Sequence, residues 1–286
     1  MIGKAVASRR AFVLAAAFRL SPAAGATEPP IPLSCDLAVD ASVTAAALAG
    51  SLLLAGFEDA LAPASCRWCA PGPVDLHLRN AAVWANTQAA DVTSGVLANG
   101  VVPVSMLGYL GAGDAKAGLV DVLLVSEAAA LAEVLTQGVK ELAGRQRPWA
   151  YFGPAPGHDG PAANNSFYSG HTSFAFSTVS AALTVALLRG YAGAWVAGGA
   201  GFAAAAFVGY LRMAADQHCF TDVLAGAAVG GLVGFAVPDL FHGRADPSEP
   251  GTVRPSPGGS PSRSGSGCHG GSRRCEKVLP AGHPLV

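Results

Sequence analysis

Three short stretches of the chain gather residue types that suit one reaction. K-E-L-A-G-R-Q-R-P, residues 140–148, carries Lys140 and Arg147. S-F-Y-S-G-H, residues 166–171, carries Ser169, Gly170 and His171. R-M-A-A-D-Q-H-C-F-T-D, residues 212–222, carries Arg212, His218 and Asp222. Lys140, Arg147 and Arg212 supply positive charge for a dianionic phosphoryl group, and an arginine can bind two of its oxygens at once. Ser169 and Gly170 stand just before an apolar run of helical length. A helix N-terminus there offers free N–H groups and a positive dipole end to an anion, and Gly170 lets the backbone come close. His218 and Asp222 are four residues apart, so on a helical turn the carboxylate reaches the imidazole. A carboxylate on one ring nitrogen fixes the tautomer and leaves the other nitrogen as nucleophile or base. His171 is then the candidate to protonate the departing oxygen. Phosphoryl transfer needs mostly positioning and charge stabilisation, and this set offers both with no cofactor and no metal.

These residues need elements to hold them. Of the 286 residues, 51% are apolar and 13% charged, against about a quarter charged in soluble domains. The mean hydropathy is +0.39. Both values favour a membrane protein or a very apolar helical bundle. The net charge of −1 comes with no basic patch interleaved with aromatics, so no nucleic-acid partner is expected. Strand-like alternation is scarce and no internal repeat is evident. Apolar runs of helical length fall at 41–57, 95–111, 117–139, 171–189, 194–210 and 222–241, each near the ~20 residues that cross a bilayer. The expected fold is therefore all-α, a bundle with about six membrane-spanning helices. The third run is the weakest span. It carries Asp121, Glu127 and Glu133, and a carboxylate at mid-bilayer costs roughly 2.5–3.5 kcal/mol. That run must face the bundle interior or not be a span.

Residues 58–94 and 149–170 read as polar connections rich in Pro, Gly and Asn. The segment 1–30 has Lys4, Arg9 and Arg10, a short apolar core and Ala24-Gly25-Ala26. It reads either as an export signal, with SRRAFV similar to a twin-arginine motif, or as a basic cytoplasmic end. Residues 243–286 form a Gly/Ser/Pro-rich tail that is expected to be disordered. With the N-terminus inside and six spans, residues 140–170 and 211–221 fall on the outer face, and the arginines of the tail fall inside. A cleaved signal with six spans would turn the same loops inward. Cys66 and Cys69 are expected to form a local disulfide on an exported face. Cys268, His269 and Cys275 are one ligand short of a zinc set.

Lys140-x6-Arg147-Pro148, then Ser169-Gly170-His171, then Arg212-x5-His218-x3-Asp222 resembles the three-part signature of the type 2 phosphatidic acid phosphatase and vanadium haloperoxidase superfamily. The signature spans residues 140–222, and the helical layout extends the resemblance to about 41–241. The resemblance implies an all-helical phosphatase domain, here residues 31–242, that is metal-independent. It implies His218 as nucleophile forming a phosphohistidine, Asp222 as its orienting carboxylate and His171 as general acid. Lys140, Arg147, Arg212, Ser169 and Gly170 would bind the phosphate oxygens. The implied substrate is a lipid phosphate, phosphatidic acid-like or an isoprenoid pyrophosphate, at a membrane whose outer face holds the site. Tyr168 stands where the family has proline, and Leu211 where it has serine. The same residues leave three alternatives: an exported soluble acid phosphatase, a vanadium-dependent haloperoxidase with vanadate on His218, and an inactive membrane scaffold.

The remaining polar residues have plainer readings. His77, His158, His242, His269 and His283 are read as structural. Arg145 is read as a solvated loop arginine, Glu141 as solvent-facing, and Asp216 as a surface or capping residue. Trp149, Tyr151 and Phe152 are read as interfacial anchors. The sequon Asn164-Asn165-Ser166 is of a kind common by chance.

Overall fold

The computed structural model describes residues 29–153 and 161–245. The signal-like segment lies almost wholly outside the described residues. So do the tail beyond 245, with Cys268, His269 and Cys275, and the loop residues 154–160 with His158.

The apolar runs all form helices, and no named strand occurs among the described residues. Helix α1 spans Leu37–Gly56, and Asp36 caps it by accepting from the Ala38 and Val39 amides. Two short helices, α2 (Glu58–Leu61) and α3 (Pro73–Ala82), cross the polar connection. Helix α4 (Thr87–Val96) runs through a π-helical stretch, Leu97–Val101, into α5 (Val102–Leu110). This second long element starts at 87 rather than 95, because Asn86 caps it through the Ala89 amide. Helix α6 is Ala115–Ala143, α7 is Pro148–Phe152, α8 is Gly170–Arg189, α9 is Ala194–Ala214 and α10 is Phe220–Phe241.

Five helical stretches are long and apolar enough to cross a membrane: α1, α4 through α5, α8, α9 and α10. Helix α6, the weakest span by sequence, is not among them. Its carboxylates do turn inward. Asp121 is fully buried and accepts from Arg189 Nε and the Tyr191 hydroxyl at 2.7 Å each. Glu127 is buried, and Glu133 accepts from Gln137 at 2.7 Å.

The bundle keeps an apolar core, with Leu124, Val179, Val185 and Val208 fully buried, but it also admits hydroxyls there and carries an apolar exterior. Leu52, Val104, Trp195, Val196, Leu232 and Leu240 are all well exposed, whereas Ser173, Ser177, Thr136 and Thr172 are fully buried. Apolar side chains outward and hydroxyls inward suit a lipid surround, where association comes from close packing rather than from the hydrophobic effect. Together with the five apolar stretches this gives the chain a membrane location.

Helix α8 is central, packed on α10, α6, α9 and α5. Its contact with α10 is made by glycine. A Cβ on Gly226, Gly230 or Gly234 would lie 2.6, 2.2 or 2.3 Å from the carbonyl oxygens of Ser169, Ser173 and Ser177. Real side chains do not fit at those distances. A ladder of glycines every fourth residue thus sets the α8–α10 register backbone against backbone. At the far end the chain returns on itself: Gly243 O accepts from Ser34 N, and Ala245 N donates to Pro32 O, both at 3.0 Å. Residues 243–245, assigned by composition to the tail, are therefore tied to the segment before α1.

Candidate active site

Each of the three motifs sits where a helix ends or begins, at one end of the bundle. Lys140 lies in the last turn of α6, which stops at Gly144 with φ of 58°. Only glycine takes that left-handed value cheaply, and Pro148 then opens α7 four residues on. Ser169 is the N-cap residue of α8, ahead of Gly170 and His171. Arg212 closes α9. His218 precedes α10, and Asp222 is its third residue, accepting from the Cys219 amide at 2.8 Å in a capping box. The glycine ladder holds the start of α10 against the start of α8, and Ser169 N donates to Asp222 O at 3.1 Å.

The histidine and the cations converge. His218 is buried. It is held well below its ordinary pKa by burial first, then by the charges of Arg147, Arg212 and Lys140, with His171 also near enough to act. Burial and then the charge of Arg212 lower Arg147 to about 10. Lys140 is buried and its Nζ makes a 3.4 Å contact to Gln137. A Cβ on Gly170 would lie 3.3 Å from that Nζ, so α8 begins directly beside it. Arg147 donates to Ala162 O at 3.0 Å and Gln217 Oε1 at 3.0 Å. Among the described residues neither Lys140 nor Arg147 has an ion-pair partner. Arg212 pairs with Asp91 and donates to Ser94 at 3.0 Å, while its buried Nε has no partner. A Cβ on Gly95 of α4 would lie 3.9 Å from Nε2 of His171. Ser169 is fully buried, its hydroxyl 2.9 Å from that of Thr172.

The imidazole is oriented differently from the four-residue expectation. His218 lies ahead of the helix, not on its turn, and Nδ1 is 3.9 Å from Asp222 Oδ2. That is too long for a hydrogen bond. Its partner is the carbonyl of Ser166, at 2.8 Å. A carbonyl only accepts, so Nδ1 carries the proton and Nε2 keeps its lone pair. Asp222 instead accepts from the Ser166 hydroxyl at 2.6 Å and from Arg145 at 2.5 Å.

Three plain readings of the sequence need correction. Arg145 is not solvated: it is 1% exposed, bound to Asp222 and, at 2.6 Å, to Asp75, with its guanidinium 3.8 Å over the Trp68 ring. Asp216 is not a surface residue: it is buried and takes both Nε and Nη2 of Arg79 at 2.6 Å. Glu141 is turned to Asn165, whose amide it accepts at 3.1 Å. Asn164 of the sequon is buried and donates to Pro63 O at 2.6 Å. Tyr151 and Phe152 are each 45% exposed, and the Phe152 ring carries the Arg79 guanidinium at 3.7 Å. Tyr168 is buried beside Thr136 and Ser173. Leu211 is in an apolar cluster with Ala90, Ala214 and Ala215.

Cys66 and Cys69 form a disulfide, as the sequence suggests. Their loop clamps the first motif: Arg67 N and Trp68 N donate to Gly144 O at 2.9 and 3.3 Å, and Gln146 N donates to Trp68 O at 3.0 Å. The residues that sequence reasoning missed are Asp75 and Asp91, the carboxylates that hold Arg145 and Arg212.

No curated protein matches the chain. Among solved structures it is similar to the first transmembrane PAP2 type phosphatidylglycerolphosphate phosphatase from Bacillus subtilis. The identity is 19%, the TM-score 0.37, and the similarity covers 72% of this chain and 87% of that one. The family model described as the PAP2 superfamily matches residues 121–246. All three motifs lie inside the matched residues.

Proposed function

We propose that the protein is a membrane phosphohydrolase that cleaves a lipid phosphate through a phosphohistidine. The observation that carries this reading is the cluster of buried Lys140 and Arg212 and half-buried Arg147 around His218, in which Lys140 and Arg147 lack a carboxylate partner among the described residues. Buried, uncompensated positive charge is costly, and a bound phosphate dianion relieves it. Nε2 of His218 attacks phosphorus in line with the leaving alkoxide. Nδ1–H stays on Ser166 O, and the nearby Asp222 carboxylate stabilises the positive ring. The cations, the Ser169 hydroxyl and the first amides of α8 hold the phosphoryl oxygens, so charge stabilisation comes from the chain itself and no metal is required. His171, taking up a proton that arrives with the phosphate, gives it to the leaving oxygen, then takes one from the water that cleaves the P–N bond and frees His218.

A lipid substrate, phosphatidic acid-like or an isoprenoid pyrophosphate, fits a site at the end of apolar helices, where a headgroup would sit. An outer-face site fits the Cys66–Cys69 disulfide beside the first motif, since disulfides persist in oxidising compartments. The test is phosphate release from phosphatidic acid in mixed micelles with excess chelator, wild type beside His218→Ala. Wild-type release that vanishes in the variant is expected, with an acid-labile phosphoprotein on quenching. Full activity in His218→Ala refutes the mechanism. Wild-type inactivity on this lipid but not on an isoprenoid pyrophosphate reassigns the substrate.

A further inference from the structure

A second polar cluster lies at the other end of the bundle. Asp40 is in the first turn of α1, Glu127 is in α6, and His242 follows the last residue of α10. All three are buried, at 6%, 6% and 4% exposure, and one ligand atom of each lies within 4.8 Å of the other two. Glu127 and Lys140 are thirteen residues apart on α6 (140 − 127), about 20 Å at 1.5 Å per residue. This cluster therefore takes no part in chemistry at His218.

The protonation pattern is what makes the cluster unusual. His242 Nδ1 faces the Ser34 carbonyl at 3.1 Å, so it carries the ring proton. Nε2 is then bare, yet it stands 3.2 Å from Glu127 Oε2, another lone-pair atom. The contact is not aligned as a hydrogen bond: His242 Nε2, Glu127 Oε2 and Asp40 Oδ2 are all buried without a hydrogen-bond partner. Nε2 and Glu127 Oε2 face each other as acceptors, and Asp40 Oδ2 stands close by, 4.0 Å from the Nδ1 side of the ring; the arrangement calls for positive charge among them. A proton on Nε2 would leave a net charge of −1, with only the weakly donating Cys35 thiol beside Asp40. Asp121, six residues before Glu127, shows the contrast, for Arg189 and Tyr191 satisfy it.

We propose that Asp40, Glu127 and His242 bind one divalent cation of the zinc class. A divalent ion neutralises the two carboxylates and satisfies all three acceptors at once. Zinc takes imidazole nitrogen and carboxylate oxygen together. An Nδ1–H held by a backbone carbonyl is the usual support of a metal-binding histidine, since it fixes Nε2 as the ligand. The ion would staple the start of α1, the middle of α6 and the end of α10. The backbone pairing of 32–34 with 243–245 already closes the same corner.

The experiment strips the full chain in detergent and titrates it with Zn²⁺, following bound metal and thermal unfolding. Glu127→Gln and His242→Gln are compared with wild type. Cys268, His269 and Cys275 could hold zinc themselves, so the deciding quantity is the difference between wild type and variant. One equivalent fewer is expected in each variant. At a 100-fold excess of free Zn²⁺ over Kd, the folded-to-unfolded ratio of wild type is expected to rise about 100-fold, and this gain is absent from the variants. Equal binding in all three proteins overturns the proposal, as does an absence of binding to wild type. Should the variants fail to fold, X-ray absorption of zinc-loaded wild type decides. A shell of oxygen with one imidazole nitrogen supports the site, and a sulfur-dominated shell overturns it.

Discussion

Replacing Arg145 by methionine should unsettle the protein in a way that acid partly repairs. The side chain is 1% exposed and bridges Asp222 at 2.5 Å and Asp75 at 2.6 Å. Methionine fills much of the volume and leaves two buried carboxylates without their cation. Breaking a buried ion pair costs about 3–5 kcal/mol. Both acids keep other donors: Ser166 and the Cys219 amide for Asp222, and the Thr221 amide and hydroxyl, each at 2.9 Å, for Asp75. These argue for the lower figure, about 3 kcal/mol, or a folded-to-unfolded ratio lower by about 150-fold. For a domain of this size that corresponds to about 6–12 °C in Tm. The sign of the pH effect follows from the lost cation. Buried carboxylates without a cation have folded pKa values above the unfolded ones. The folded variant then binds more protons than the unfolded chain, so its stability rises as pH falls. Thermal unfolding in detergent at pH 8, 7, 6 and 5 measures this, wild type against Arg145→Met. The gap in Tm should narrow toward pH 5, and Asp75→Asn in the Arg145→Met background should recover part of it at pH 8. A variant as stable as wild type, or a gap that does not change with pH, would refute the reasoning.

Other outcomes follow from the same geometry. Gly230→Ala puts a Cβ 2.2 Å from Ser173 O; backbone cannot yield there, so the α8–α10 register should shift, with phosphatase activity down at least tenfold and Tm lowered, whereas Gly231→Ala, which meets open space, should change neither. His218, held well below its ordinary pKa by burial and then by the Arg147, Arg212 and Lys140 charges, stays neutral in the folded chain below about pH 6.5, where the unfolded histidine takes up a proton. Stability should therefore fall with falling pH by about 1.4 kcal/mol per unit through that window, a slope that His218→Gln should reduce; and kcat/KM should show no acid limb near 6.5. Lys140→Met removes a buried cation that has no ion-pair partner among the described residues. It should raise stability by about 1–2 kcal/mol while abolishing phosphate binding, measured by Tm and by competition with inorganic phosphate.

The motifs were legible because their chemistry is local. Lys140 and Arg147, Ser169 to His171, and Arg212 to Asp222 each fall within one helix end and the turn beside it, so spacing alone brings them forward. The braces were not legible. Arg145 reaches Asp222 across 77 positions and Asp75 across 70, and Arg212 reaches Asp91 across 121. No periodicity marks a carboxylate in a polar connection as the partner of a distant arginine. One clue was present: Arg145 is two residues before Arg147, and in an extended turn residues two apart face the same way. The four-residue spacing of His218 and Asp222 suggested a helical contact, but α10 begins only at Phe220. The inward turn of Asp121 and Glu127 was foreseen from the cost of charge in lipid. The residues beside them, Arg189, Tyr191 and His242, were not, because they sit at or just past the ends of other helices.

The apolar exterior of the bundle has a thermal consequence. Leu52, Val104, Trp195, Leu232 and Leu240 face outward already, toward acyl chains in a membrane. Parting the helices within the bilayer exposes core side chains, hydroxyls and glycine faces to lipid, and carries little apolar surface into water. The heat capacity of unfolding comes mainly from apolar surface meeting water, at about 12–15 cal/mol/K per residue in soluble domains. For this chain it should be a small fraction of that. Its stability should then decline almost in a straight line with temperature, with no maximum near room temperature and no loss of structure in the cold.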